Sequence, residues 1–234
     1  MSFTTAMPES PATPLSRAAA AEGIGTAFLL VAIVGSGIMG ERLSGGSVGL
    51  ALLANSLATG AALMALVAAF GHASGAHFNP AVTLVEAWRG ALKWPAAAAY
   101  VSAQFAGAMA GVAAAHGMFG GAVFRVSLTA RTGAGQWFAE FVATVGLLGI
   151  IRGVSASRSL LAPVAIGAWI AGALWFTAST SFANPAVTLA RCWTDTFAGI
   201  RPLDAPAFIV AQLAGAVASA LLWPRVFGEK QVAA

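Results

Sequence analysis

The sequence predicts an all-α membrane protein with six transmembrane helices and two re-entrant half-helices, arranged as an inverted repeat. Three observations lead to this fold class. The 234 residues are 59% hydrophobic and only 9% charged, whereas a soluble domain has about 25% charged residues. Six stretches are apolar over a length that can cross a bilayer. One segment of six residues occurs twice, once in each half of the chain.

The six predicted spans are separated by short polar breaks. A helix needs about 20 apolar residues to cross a bilayer, and the stretches that approach this length cover about 18–39, 47–70, 96–115, 136–151, 160–178 and 207–223. The polar, proline-containing residues 1–17 are expected to form a flexible cytoplasmic tail, and 226–234 a second one. Residues 18–225 then form one membrane domain, whose halves are 18–125 and 133–225.

Lysine and arginine residues indicate the orientation, because they concentrate in cytoplasmic loops. An even number of spans places both termini on one side, and that side carries seven of the twelve Lys and Arg residues. This balance favours a multi-pass protein of the cell (inner) membrane with both termini in the cytoplasm. The basic residues form no run, so the net charge of +4 does not indicate a nucleic-acid partner.

Chemical groups for catalysis or metal binding are scarce. The single cysteine, Cys192, excludes a disulfide within the chain and a zinc site built on thiolates. Three histidines and two aspartates, Asp195 and Asp204, form no catalytic or metal-binding pattern, and both aspartates are expected in loops. We therefore expect no catalytic residue, no metal and no cofactor, in a protein that is not an enzyme.

Two further segments, 79–88 and 184–193, are apolar but too short to cross a bilayer. Each follows a loop of small residues directly after a span. Non-helical backbone at membrane depth is tolerated only where it is buried in protein or lines a water-filled path. Both segments are therefore predicted to be re-entrant half-helices, and both begin with the sequence Asn-Pro-Ala-Val-Thr-Leu.

An internal repeat relates the two halves of the chain. Glu22 and Glu140 follow an alanine at the start of the first and fourth spans, and Gln104 and Gln212 mark the third and sixth. Because each half holds three spans, the second copy is inverted relative to the first. The half-helices must then enter from opposite faces and meet near the middle of the membrane. This arrangement is typical of a transport path.

The Asn-Pro-Ala sequence indicates a helix start, because Asn is a preferred cap and Pro is favoured at the first helical position. Two starts that meet would aim two positive dipole ends and two amide donors at one place, which repels a cation and suits a neutral hydroxylated solute. One copy alone could merely cap a loop helix, whereas two inverted copies favour a channel. The predicted pore centre consists of Asn79, Pro80, Ala81, Asn184, Pro185 and Ala186.

The segment Gly-His-Ala-Ser-Gly-Ala-His-Phe-Asn-Pro-Ala-Val-Thr at 71–83 resembles the aquaporin (major intrinsic protein) family, and the similarity covers about 21–223. The resemblance implies an aquaporin-like fold and a homotetramer in which each protomer carries its own pore. It implies that Glu22 and Glu140 are buried scaffold residues that accept hydrogen bonds from the loops, and that His77 orients the first loop. A proton relay through the glutamates would need a further acid or histidine.

The outer selectivity filter of the family lies at four positions, which the resemblance carries onto this chain as Thr59, Ser181, Val187 and either Gly172 or Leu174. Water-selective members have an aromatic residue where Thr59 stands, and the family usually has Arg where Val187 stands. A wider pore is expected. Arg191 follows Val187 by four residues and so lies on the same helix face. It either replaces the missing arginine from further out or pairs with Asp195.

These observations predict a passive channel for small uncharged solutes, namely water, glycerol-like polyols and arsenite. The run at 184–200 is similar to a bacterial aquaporin branch linked to arsenite, an uncharged trihydroxide at neutral pH. The alternative is an ion-coupled secondary transporter, which also uses inverted repeats and broken helices. It would need charged coupling sites, and only Glu22 and Glu140 are available within the spans. An intramembrane enzyme would need a catalytic constellation.

Overall fold

A computed structural model describes residues 13–156 and 160–228 of the chain. Every regular element in this part of the chain is helical. The α-helices in chain order, α1 to α8, are Leu15–Leu43, Val48–Ser74, Pro80–Trp88, Trp94–Met118, Ala134–Ala156, Ala162–Phe176, Pro185–Ala190 and Ala205–Phe227. A 3-10 turn, Arg191–Trp193, extends α7. The predicted fold class is confirmed, with α3 and α7 as the half-helices.

The helix bounds differ from the predicted spans mainly at the ends. Five helices are long and apolar enough to cross a membrane, whereas the fifth span, α6, has only 15 residues. Residues 15–17 form the first turn of α1 and 226–227 the last turn of α8, so the helices extend into both predicted tails. Residues 1–12 and 229–234 of those tails lie outside the described residues.

The six helices other than α3 and α7 form two related groups. Helix α1 packs against α2 and α4, α5 packs against α6 and α8, and contacts between α2 and α6 join the groups. The half-helices contact each other, and α7 also packs on α4 while α3 packs on α8. Consecutive spans alternate in direction. We call the end of the bundle at which α1 begins the inner end and the opposite end the outer end.

Small residues allow the closest helix contacts, as is common between membrane helices. A Cβ atom on Gly107 would overlap the carbonyl oxygen of Gly23, and one on Gly111 would overlap that of Ala27. In the second group, a Cβ atom on Gly215 would lie 2.8 Å from the carbonyl oxygen of Phe141. Both repeats therefore bring their first and last spans together at backbone contact.

Candidate functional site

The two half-helices begin at asparagine caps. The side-chain oxygen Oδ1 of Asn79 accepts a hydrogen bond from the backbone N–H of Ala81 at 2.9 Å. Asn184 Oδ1 accepts from the N–H groups of Ala186 and Val187 at 3.0 and 3.2 Å. A proline follows each cap at the first helical position, where no N–H donor is needed. Both helix starts thus form as their residue types predict.

The caps also tie the half-helices to each other. Asn79 Nδ2 donates to the carbonyl of Ala183 at 2.7 Å, and Asn184 Nδ2 donates to the carbonyl of Phe78 at 2.8 Å. Each amide therefore binds the residue that precedes the other cap. An amide nitrogen carries two N–H bonds, so each asparagine keeps a second donor beyond this exchange.

The loops that precede the caps have strained backbones. Ala76 and Phe78 have φ angles of 50° and 47°, and their repeat counterparts Ser181 and Ala183 have 45° and 46°. Side-chain-bearing residues avoid this left-handed region, and each instance costs about 1–3 kcal/mol. Such a conformation persists only where surrounding groups hold it. In both loops, a buried carboxylate is the holding group.

Glu22 binds the first loop and is fully buried. Its Oε1 accepts from Ser74 Oγ at 2.6 Å and from the N–H of His77 at 2.9 Å. Its Oε2 accepts from the N–H of Phe78 at 2.6 Å and from Gln104 Nε2 at 2.8 Å. Four donors converge on one carboxylate, which stabilises the loop in its left-handed conformation.

Glu140 repeats this arrangement for the second loop. Its two oxygens accept from the N–H groups of Phe182 and Ala183, both at 2.8 Å, and from Gln212 Nε2 at 2.6 Å. Gln212 Nε2 also donates to Thr188 Oγ1 in α7 at 2.8 Å. The sequence identifies the two glutamines only as markers of the repeat. Their positions show that they connect each glutamate to its half-helix.

A cavity lies where the half-helices meet and is lined by both asparagine caps. Its apolar wall comes from α1, α2, α5 and α6, whereas α4 and α8 contribute none of the lining residues. The polar and charged side chains along it are Asn55, Thr59, His77, Asn79, Ser181, Asn184 and Arg191. The cavity is therefore mostly apolar, with a few hydrogen-bonding groups along its length.

The five candidate residues for the four outer-filter positions include four that line this cavity: Thr59, Leu174, Ser181 and Val187. Gly172 is not among the lining residues, and its nearest side chain is the ring of Phe176. The hydroxyl oxygens of Thr59 and Ser181 are buried and have no hydrogen-bond partner among the described residues. Two residues of the cavity wall thus carry hydroxyl groups without a protein partner.

Arg191 lies at the outer part of the cavity and is 6% exposed. Its guanidinium carbon is 3.4 Å from the centre of the Phe182 ring, and its Nε donates to the carbonyl of Ala198. Asp195, the alternative partner, forms its ion pair with Arg125 at 3.4 Å. In the described part of the chain, no ion pair joins Arg191 to Asp195. The guanidinium therefore remains available to the cavity.

Arg131, for which the sequence indicated no role, holds the outer loops together. It donates from Nε to the carbonyl of Gly199 at 2.7 Å and from Nη2 to that of Phe197 at 3.2 Å. Its guanidinium carbon lies 5.2 Å from the centre of the Phe182 ring. Phe182 therefore contacts two arginines, one from the α4–α5 loop and one from the 3-10 turn that follows α7. A single loop arginine has no periodic pattern that would have revealed it.

Asp204 anchors the same loop from the start of α8. Its Oδ2 accepts from the backbone N–H of Arg131 at 2.9 Å, and its carboxylate pairs with Arg201 at 2.9 Å. Partial burial alone would raise the pKa of Asp204. The hydrogen bonds from Arg201 and Arg131 outweigh this effect and hold the pKa below its ordinary value.

The three histidines differ in their surroundings. His77 lines the cavity, and its Nδ1 lies 3.1 Å from Thr83 Oγ1 in α3, where it connects the first loop to its half-helix. His72 is exposed near the inner end of α2. His116 is buried and hydrogen-bonded at both ring nitrogens, at 3.0 Å to the carbonyl of Val123 and at 2.8 Å to Thr194 Oγ1. It joins two outer loops.

Comparison with solved structures identifies the class of protein first. An aquaglyceroporin from Plasmodium falciparum superposes with a TM-score of 0.72 and covers 91% of this chain and 97% of its own, at 19% sequence identity. This likeness shows the fold. The chain is a multi-pass membrane protein with the aquaporin fold.

Sequence comparison identifies the family. The family model described as major intrinsic protein matches residues 9–181 and 160–233. "Aquaglyceroporin AqpS" of Rhizobium meliloti strain 1021 is 52% identical over 209 residues, which cover 89% of each chain. "Aquaporin NIP1-4" of rice, Oryza sativa subsp. japonica, is 36% identical over 205 residues, or 86% of this chain and 73% of its own. The chain belongs to the major intrinsic protein family, as its motifs predicted, and these relatives are channels and not enzymes.

Proposed function

We propose that the protein is a passive channel for water and small uncharged polyols such as glycerol. The observation that supports this function is the cavity between the half-helices, whose wall is apolar except for a short series of hydrogen-bonding groups. A relative that is 52% identical is named an aquaglyceroporin. The chain contributes two related repeats to one channel domain.

The polar groups of the cavity suit a neutral hydroxylated solute. Thr59 and Ser181 offer hydroxyls without protein partners, and the asparagine caps offer amide donors. A neutral solute that loses its hydration water can form hydrogen bonds with these groups instead. An ion would face an apolar wall that cannot replace its hydration shell. The positive ends of two half-helices add a field that repels cations.

The outer filter favours solutes larger than water. Thr59 leaves more room than an aromatic ring, and Val187 is short and uncharged where an arginine would extend into the lumen. Arsenite is an uncharged trihydroxide at neutral pH and resembles glycerol in shape, so we include it among the solutes. In this proposal Arg191, one helical turn further out than Val187, provides the positive charge at the outer end of the cavity.

Stopped-flow light scattering on proteoliposomes tests this function. We expect vesicles that contain the protein to shrink faster than protein-free vesicles in an impermeant osmolyte, and to reswell when the osmolyte is glycerol, urea or arsenite. Flux should need neither a sodium nor a proton gradient. Permeability to water alone would refute the wide filter, and a requirement for an ion gradient would favour the secondary transporter.

A bulky residue at the filter should separate the solutes. Thr59→Phe places a ring in the cavity, and we expect it to abolish glycerol flux while water flux persists. Leu57→Phe is the matched control, because Leu57 lies two residues away on α2 with 60% of its surface exposed outside the bundle. Equal glycerol flux in the two variants would show that Thr59 does not border the narrow part of the path.

The role of Arg191 is tested by Arg191→Ala. We expect potassium leak to rise and the glycerol to water permeability ratio to change, because the fixed charge and its donors are lost. Unchanged selectivity for both solutes and ions would refute a filter role for this residue.

Assembly and placement complete the proposal. We infer a homotetramer in the cell (inner) membrane, with both termini in the cytoplasm and one pore in each protomer. The native mass in detergent should correspond to four chains. A reporter that is active only in the cytoplasm should be active at either terminus, and activity of a periplasmic reporter there would reverse the orientation.

A further inference from the structure

Asn55 is a polar residue of the cavity to which the sequence assigned no role. It lies on α2, four residues before Thr59, and is 4% exposed. Helix α2 runs from the outer end inward, whereas α7 runs outward. Asn55 therefore lies one helical turn, about 5.4 Å, outside Thr59. Arg191 lies about one turn outside Val187 in the same direction.

The amide of Asn55 is held in one orientation. Its Nδ2 donates to the carbonyl of Ile33 at 2.8 Å and to Ser36 Oγ at 2.9 Å, both on α1. Because a carbonyl can only accept, the nitrogen must face α1. Both N–H donors are then occupied. The remaining atom, Oδ1, has no hydrogen-bond partner within the described residues, although the side chain lines the cavity.

Arg191 offers the complementary groups. Its Nε is occupied by the carbonyl of Ala198, and the Phe182 ring fixes the plane of the guanidinium. Neither terminal nitrogen, Nη1 or Nη2, has a hydrogen-bond partner among the residues that the structure describes. Donors of a guanidinium therefore remain in the cavity that Asn55, with its free acceptor, also lines.

A contact between α1 and the outer loop brings the two groups into one neighbourhood. A Cβ atom built on Gly37 would lie 3.4 Å from the Cβ of Ala198 and 3.6 Å from Asn55 Nδ2. Ala198 is the residue whose carbonyl binds Arg191. Both Asn55 and the residue that binds Arg191 thus adjoin the same glycine of α1.

We propose that Asn55 and Arg191 form a second polar ring, one helical turn outside Thr59 and Val187, that binds a small neutral polyol before it enters the narrow part of the channel. One hydroxyl of the solute donates to Asn55 Oδ1, and a neighbouring hydroxyl oxygen accepts from the guanidinium. This pairing suits a molecule with adjacent hydroxyls better than a single water. The inference rests on the proposed function and adds a specificity-determining residue to it.

Asn55→Leu tests the ring, because leucine has a similar volume and no acceptor. One lost hydrogen bond corresponds to about a fivefold change in rate. We expect the glycerol to water permeability ratio in proteoliposomes to fall about fivefold, with water flux nearly unchanged. Asn55→Ala should lower the ratio in the same way, and it carries the test if the leucine variant does not fold.

Ser36→Ala is the matched control. It removes a hydrogen bond that holds the Asn55 amide but leaves the bond to Ile33 and the free Oδ1. We expect a ratio like that of the unchanged protein. A loss as large as in Asn55→Leu would show that Asn55 only braces α1 against α2, and an unchanged ratio in both Asn55 variants would equally overturn the ring. Absence of glycerol flux in the unchanged protein would instead refute the proposed function.

Discussion

Replacing Glu140 by glutamine should destabilise the protein strongly, although the two side chains have nearly the same shape. The carboxylate accepts hydrogen bonds from two backbone N–H groups and from Gln212. Glutamine at this position has one acceptor oxygen and one NH₂ group. If the oxygen takes the place of Oε2, it keeps the bonds from Ala183 and Gln212, and the NH₂ group faces the N–H of Phe182.

The cost follows from these contacts. One buried donor, the Phe182 N–H, loses its acceptor, which costs about 1–3 kcal/mol. The two remaining bonds change from charge-assisted to neutral, which removes about 1 kcal/mol each. The sum of about 3–5 kcal/mol is a large part of a stability of about 5–15 kcal/mol. For a chain of this length it corresponds to a fall of about 6–20 °C in Tm.

Thermal unfolding of the detergent-purified protein measures this effect. Glu86→Gln is the matched control, because among the described residues the Glu86 side chain makes one ion pair, with Arg89 at 3.1 Å, in which each side chain is 23% exposed. Such a pair is worth at most about 1 kcal/mol. We expect both Tm and glycerol flux to fall in Glu140→Gln, and both to stay nearly unchanged in Glu86→Gln. Equal Tm values for the two variants, with normal glycerol flux in both, would refute the reasoning.

Three further predictions concern the filter, the helix packing and the outer loops. Val187→Arg should narrow the cavity and slow glycerol more than water in stopped-flow measurements; equal slowing would contradict its place at the constriction. Gly107→Val should prevent assembly, because its side chain would overlap the backbone of α1 at Gly23; a monodisperse size-exclusion peak would be the contrary result. Arg131→Gln should speed amide exchange at 197–200 about tenfold, and unchanged protection would show that the loops hold without it.

The fold could be predicted from the sequence because the repeat constrains it. Two copies of Asn-Pro-Ala separated by three spans, an odd number, leave one arrangement, in which the half-helices approach head to head. Ionisable residues within membrane spans are costly and therefore conspicuous, so Glu22 and Glu140 could be singled out. The structure adds what each of them binds, namely the left-handed loop residues and a glutamine from the last span of the same repeat.

The outer mouth could not be predicted in the same way. Helix α2 is apolar on all sides because it faces lipid as well as protein, so no periodicity shows which residues line the cavity. The structure is needed to show that Asn55 and Thr59 lie on the face of α2 that lines the cavity. Arg131 belongs to a long loop whose path depends on contacts with residues 179–204. The choice between Gly172 and Leu174 depended on a loop length that alignment to the repeat leaves open.

The crossed amide bonds between the half-helices have a consequence for the order of folding. The hydrogen bonds of Glu22 lie within the first repeat and can form once α4 has been synthesised. Asn79, however, must wait for the carbonyl of Ala183, more than 100 residues later in the chain. The first half can thus shape its loop early but cannot complete its lumen. The exchange between the half-helices can form only after the second repeat has been synthesised, and the pore wall is incomplete until then.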